Sequence, residues 1–157
     1  MPWKNGGGVT TELFKLDGVV RLSRATVSQD GPFSIFPGID RHLLLLEGNG
    51  FFFNEIRFTE TFTPLDFTGE EPIECKLING SCIDFNVMTQ RAKARSRLSV
   101  QPIAVNESLM IMSDTDYKFI YDHSENTLYK LERADRIGLS TTRAKNLLII
   151  DVSLKDA

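Results

Sequence analysis

The chain has 157 residues, enough for one domain with a sizeable core. Hydrophobic residues make up 41% and charged residues 25%, a globular composition, and a net charge of -3 argues against an electrostatic nucleic-acid binder. No apolar run approaches the ~20 residues that span a bilayer, and no apolar stretch of signal-peptide type follows Met1. The expectation is a cytoplasmic protein with neither a nucleic-acid nor a membrane partner.

The first segment is Trp3-Lys4-Asn5-Gly6-Gly7-Gly8. Consecutive glycines cost backbone entropy, so something must fix them or use them. Two readings stand: a loop whose amides approach a ligand, with Lys4 and Asn5 as donors, or a flexible arm. The spacing is not that of a phosphate loop. A strand signal follows over 19–27, flanked by Asp17-Gly18 and Asp30-Gly31.

From Gly31 to Gly50, three turn signals bracket two short runs rich in bulky apolar residues, the pattern of a chain folding back between strands. Asp40-Arg41 stands at the mouth of the second run. Arg41 is in phase with Leu43 and Leu45, so it points inward if they do. A buried Arg must be paired, and Glu12, Asp84 or a ligand carboxylate would suit its fork; a structural ion pair fits equally.

Phe51-Phe52-Phe53 reads as another strand. Over 76–88 the chain reads as a hairpin about Asn79-Gly80, a strong type I′ signal. That register sets Cys82 against Leu77 and Asp84 against Cys75. The two thiols then lie diagonally, about 7–8 Å apart, too far for an unstrained bridge, and both are expected free. On the return strand Asp84 and Asn86 share a face with Cys82 and Met88, while Ile83, Phe85 and Val87 share the other. Either the apolar trio faces the core and the polar pair faces water, or the polar pair converges on a ligand.

The basic run at 91–97 has period two and reads as a solvated strand guarding a sheet edge. Further strand signals lie at 98–105, 108–113, 117–121, 127–131, 137–140 and 147–154, separated by turn clusters. Short strands at this spacing predict an all-β sandwich or barrel, with a possible second small sandwich from about residue 98. Two histidines and two cysteines are too few for a transition-metal centre, so no metal or other cofactor is expected. No nucleophile elbow, Cys/His pairing or dinucleotide fingerprint stands out.

Taken together, Met1-Pro2-Trp3-Lys4-Asn5-Gly6-Gly7-Gly8, Arg21-Leu22-Ser23, Gly31-Pro32-Phe33-Ser34, Phe36-Pro37-Gly38-Ile39-Asp40-Arg41 and Asp84-Phe85-Asn86-Val87-Met88 resemble the HutD/Ves family in order and spacing. Phe67-x-Gly69 and Ala134-Asp135 also fit, so the resemblance covers essentially the whole chain. It implies a cupin-like jelly-roll β-barrel or sandwich, one domain over 1–157 with two cupin-like halves, about 1–97 and 98–157. Family members usually carry a further segment before the Pro-Trp-Lys-Asn motif, which leaves the ordering of Trp3 to Gly8 open.

The resemblance also implies a metal-free pocket holding a small carboxylate metabolite, such as a formylated or formimino-glutamate intermediate, and a role in histidine utilisation or stress response. The site residues are then Trp3, Lys4, Asn5, Glu12, Arg41, Asp84 and Asn86. Lys4 and Arg41 would hold the carboxylate, Asn5 and Asn86 would hydrogen-bond it, Asp84 would orient Arg41, and Trp3 would wall the pocket. Two alternatives stay open: a metal-independent hydrolase or isomerase with Asp84 or Glu12 as general base, and a structural interaction domain. The oligomeric state is open, with a homodimer among the choices.

Overall fold

Alternation of apolar and polar residues becomes strand after strand. In the computed structural model, which describes residues 1–156, all regular structure is β and no helix occurs among the described residues. No helix is therefore long and apolar enough to cross a membrane. The chain divides into two compact units, the first spanning Met1–Lys93 and the second beginning at Ala94.

The first unit contains β1 (Gly8–Leu16), β2 (Val20–Val27), β3 (Gly31–Pro32), β4 (Ile39–Glu47), β5 (Phe51–Phe53), β6 (Ile56–Phe58), β7 (Leu65–Thr68), β8 (Glu74–Leu77) and β9 (Cys82–Gln90). They form a five-stranded sheet in the order β1-β2-β9-β4-β7 and a four-stranded sheet in the order β3-β8-β5-β6. Val27, Leu43, Leu45, Phe67 and Cys82 from the first sheet pack with Phe51, Phe53, Phe58 and Cys75 from the second. That packing makes a sandwich of two open sheets. The phenyl rings interlock at close range, with Phe53 and Phe67 edge-to-face at 4.8 Å between centroids and Phe51 tilted on Phe58 at 5.4 Å. Each fully buried ring contributes roughly 1.5–3 kcal/mol, and none carries a polar atom needing a partner.

The second unit contains β10 (Ala94–Ile103), β11 (Ser108–Met112), β12 (Tyr117–Asp122), β13 (Thr127–Glu132), β14 (Arg136–Ser140) and β15 (Lys145–Leu154). A four-stranded sheet, β10-β15-β12-β13, faces a two-stranded ribbon, β11-β14. Ile103, Ile120, Leu131, Leu147 and Ile149 bury themselves under Leu109, Ile111, Ile137 and Leu139 of the ribbon. Arg95 and Arg97 lie exposed on β10, the edge strand of its sheet, as the period-two basic run predicts. Residues 91–93 form the preceding turn.

One expectation needs correction. The strands around Asn79-Gly80 do not pair with each other: β8 pairs with β3 and β5, whereas β9 pairs with β2 and β4. Asn79 and Gly80 do take positive φ values of 50° and 114°. The turn nonetheless passes the chain from one sheet to the other, because both flanking strands carry apolar faces that cover opposite sides of one core. Cys75 and Cys82 are therefore on facing sheets, both buried and free. Burial pushes each thiol up to about 12.

Of the two readings of the glycine triplet, the loose arm is not realised. The Trp3 amide donates to the Gly8 carbonyl at 2.8 Å, and Ser28 donates to the Gly7 carbonyl at 2.8 Å. A Cβ on Gly8 would lie 2.5 Å from the Thr26 carbonyl oxygen, so only glycine permits that approach.

Candidate functional site

The inner face of the five-stranded sheet is read by its register. Thr10, Ala25, Asp84 and Leu45 form one cross-strand row, and Glu12, Ser23, Asn86 and Leu43 form the next. Arg21, Met88, Arg41 and Phe67 form a third. Both faces of β9 are buried: Phe85 and Val87 are fully enclosed on one side, and Asp84 and Asn86 are 3% and 8% exposed on the other. Phe85 and Val87 are in the core as the first reading of this strand expects, but the polar pair does not face water as that reading has it.

Arg41 points inward with Leu43 and Leu45 and is 6% exposed. Its guanidinium carbon lies over three phenyl rings, 5.7 Å from the centroid of Phe33, 5.3 Å from Phe36 and 4.8 Å from Phe67. Gly69 holds this cage together: it donates to the Ile39 carbonyl at 2.7 Å and accepts from the Phe36 amide at 2.8 Å. A Cβ on Gly69 would sit 2.1 Å from the Phe36 carbonyl oxygen, so the close approach requires glycine. Phe33 is fixed in turn by its amide bond to the Ile73 carbonyl, 2.9 Å.

The expected bidentate pair between Arg41 and Asp84 is not formed. No ion pair within 4 Å joins them, and Arg41 Nε is enclosed without a hydrogen-bond partner. Asn86 Oδ1, in the row between them, is enclosed and unpartnered as well. The two charges still act through space. Burial lowers Arg41 to about 10 while the Asp84 charge opposes that shift. Burial raises Asp84 to about 7 while the Arg41 charge opposes it.

The other sequence-predicted residues fall differently. Trp3 packs against the core cluster and donates through Nε1 to Thr10 Oγ1 at 2.7 Å, and Thr10 lies in the same cross-strand row as Asp84, two strands away. Glu12 is exposed and accepts from Arg21 Nε at 2.9 Å, so it does not serve Arg41. Lys4 and Asn5 are exposed in the first turn, and Asn5 Oδ1 is occupied by the Gly7 amide at 2.8 Å. Asp40 points the other way from Arg41 and accepts from Arg91 Nε at 2.8 Å. The aromatic cage and the buried Ser23 were not assigned roles from sequence, although Phe33, Phe36, Phe67 and Ser23 all lie in the motif stretches. The cue was a turn-bracketed phenylalanine pair ahead of a strand carrying an arginine in phase with leucines.

Among the described residues no group of three or more His, Cys, Asp or Glu could hold a metal ion. A separate cavity of about 490 Å³ lies wholly among residues of the second unit, beside the buried Asp122–Lys145 pair, which the sequence did not signal.

The fold is that of a cupin-like β-sandwich. A cupin 2 conserved barrel domain protein from Leptotrichia buccalis superposes with a TM-score of 0.50 at 11% identity, covering 99% of this chain and 92% of that one. The chain belongs to the HutD family, whose model matches residues 1–151. HutD from Pseudomonas fluorescens SBW25, in a formate condition, is similar at 25% identity with a TM-score of 0.66 over 99% of this chain and 94% of that one. A conserved protein of unknown function from Pseudomonas aeruginosa PAO1 is similar in fold, with a TM-score of 0.75 at 23% identity and the same coverages, 99% and 94%. An uncharacterised 21.2 kDa protein from the hutC 3′ region of Pseudomonas putida is 38% identical over 108 residues. That match spans 62% of this chain and 57% of the relative's length.

Proposed function

We propose that this chain is a metal-independent binding protein for a small carboxylate-containing metabolite, with an accessory or regulatory role in histidine or other amino-acid utilisation. The observation that carries the reading is the state of Arg41: a buried guanidinium caged by Phe33, Phe36 and Phe67, with Nε unbonded and no carboxylate within 4 Å. A buried charge without a partner is costly, and a ligand carboxylate is the group that offsets the cost. Asn86 and Ser23 offer polar contacts in the adjoining row, Trp3 walls the site, and Lys4 and Asn5 act as donors at its rim. The HutD family name and the hutC-region relative support the metabolic assignment.

A second reading has its own support. Asp84, raised to about 7, suits a general base working near neutral pH, which a metal-independent hydrolase or isomerase would need. Thermal-shift titration with formate, glutarate and glutamate tests the first reading. A saturable rise in melting temperature is expected, lost in Arg41→Lys because an ammonium cannot reproduce the planar fork. Turnover of a bound metabolite that disappears in Asp84→Asn would select the second.

A further inference from the structure

The second unit carries a cavity that the family reading does not use. It lies where β10 and β14 end and β15 begins, with Ile103, Leu139 and Leu147 as an apolar floor. Asp122 and Lys145 meet at its wall. Asp122 is firmly held: Oδ1 accepts from Ser124 Oγ at 2.6 Å and from the Glu125 amide at 3.4 Å, and Oδ2 accepts from Lys145 Nζ. These bonds keep its carboxyl below the usual carboxylate range despite burial.

Lys145 is less well satisfied. Its side chain is 17% exposed, and Asp122 is its one side-chain partner among the described residues. An ammonium has three N–H donors, so two are left to face the cavity. The ammonium is partly exposed at the cavity wall, so it is open to a further group. Glu125, an exposed acidic residue of the turn that Asp122 caps, lines the same cavity.

We infer that this cavity is a second ligand site, selective for a small zwitterion of the α-amino acid type with an aliphatic side chain. The carboxylate of the ligand takes the spare Lys145 donors. Its ammonium takes Glu125, whose charge is not cancelled within the cavity once Asp122 and Lys145 neutralise each other. The aliphatic side chain covers Ile103, Leu139 and Leu147. A plain anion fits poorly, because Asp122 and Glu125 together outweigh the one lysine.

The test compares L-leucine, N-acetyl-L-leucine and L-leucinamide by chemical-shift titration of the isotopically labelled full chain. L-leucine should shift resonances of Lys145, Tyr129 and Leu139 saturably, while either capped analogue binds roughly tenfold or more weakly, because each loses one charge-assisted contact. Glu125→Gln, at an exposed position, should weaken L-leucine by a similar factor and should tighten N-acetyl-L-leucine, because it removes a charge that repels a plain anion. Arg41→Lys should leave L-leucine binding intact, which separates this site from the one in the first unit. Absence of saturable shifts with L-leucine at millimolar concentration, or equal binding of the N-acetyl analogue, would overturn the inference.

Discussion

Arg41 and Asp84 face the same side of one sheet but stand two cross-strand rows apart. Arg41 lies opposite Met88, and Asp84 lies opposite Leu45. Four residues of β9 separate the two rows, roughly 13 Å along a strand that rises about 3.4 Å per residue. A guanidinium and a carboxylate cannot both close that gap and bond in a fork. The cation is instead held by three phenyl faces, and the acid is left as an isolated buried group with a raised pKa. Asn86 stands in the intervening row, between the two charges.

The contribution of Asp84 to stability should fall as pH rises through the acidic range. Asp84 sits at about 7 in the folded protein and near its ordinary value, about 4, when unfolded. The folded state therefore holds this proton more tightly. Its contribution is full below about pH 4, is lost as pH rises toward 7, and is level above that. Asp84→Asn should remove this slope and raise stability at pH 8 by an amount on the order of a few kcal/mol. Urea denaturation of both proteins at pH 5 and pH 8 measures it; parallel slopes would show that Asp84 is not the titrating group.

Replacing Arg41 with an apolar residue of similar reach should not unfold the protein. Arg41→Met removes a desolvated charge that has no salt-bridge partner and places a thioether among phenyl rings. Its melting temperature is expected to equal or exceed that of the parent. A large drop in melting temperature would mean that the cation–aromatic contacts outweigh the burial cost.

The N-terminal turn should be intolerant of side chains. Gly8→Ala is expected to destabilise by about 1–3 kcal/mol, because its Cβ would meet the Thr26 carbonyl at 2.5 Å and the Trp3 ring at 3.0 Å. Chemical denaturation reads the loss, and Trp3 fluorescence should report a loosened ring. Gly6→Asn, in contrast, falls on an open position at φ +74° that asparagine tolerates, and should cost far less.

The all-β class was legible because alternation and turn residues survive at most strands. β1 escaped notice for a physical reason: its pairing with β2 slips between Glu12 and Phe14, so the apolar positions change face midway and the period of two is broken. The Asn79-Gly80 turn misled because turn chemistry fixes a local reversal and not the sheet that each arm joins. At the site, the inward phase of Arg41 could be read from Leu43 and Leu45. That Asp84 lies out of its reach could not, since cross-strand register between β4 and β9 is set by packing across the intervening chain, residues 48–81, and leaves no local mark. The Asp122–Lys145 contact was hidden for the same reason: it joins the end of one strand to the start of another.

Isothermal titration of glutarate, at pH 6, into the parent protein and into folded Arg41→Met tests the central claim most directly. At that pH most Asp84 is protonated and carries no charge to repel the ligand carboxylate. The account predicts saturable binding of one glutarate per chain to the parent, weaker at pH 8 than at pH 6, and none to Arg41→Met. Undiminished binding to a folded Arg41→Met protein would contradict it.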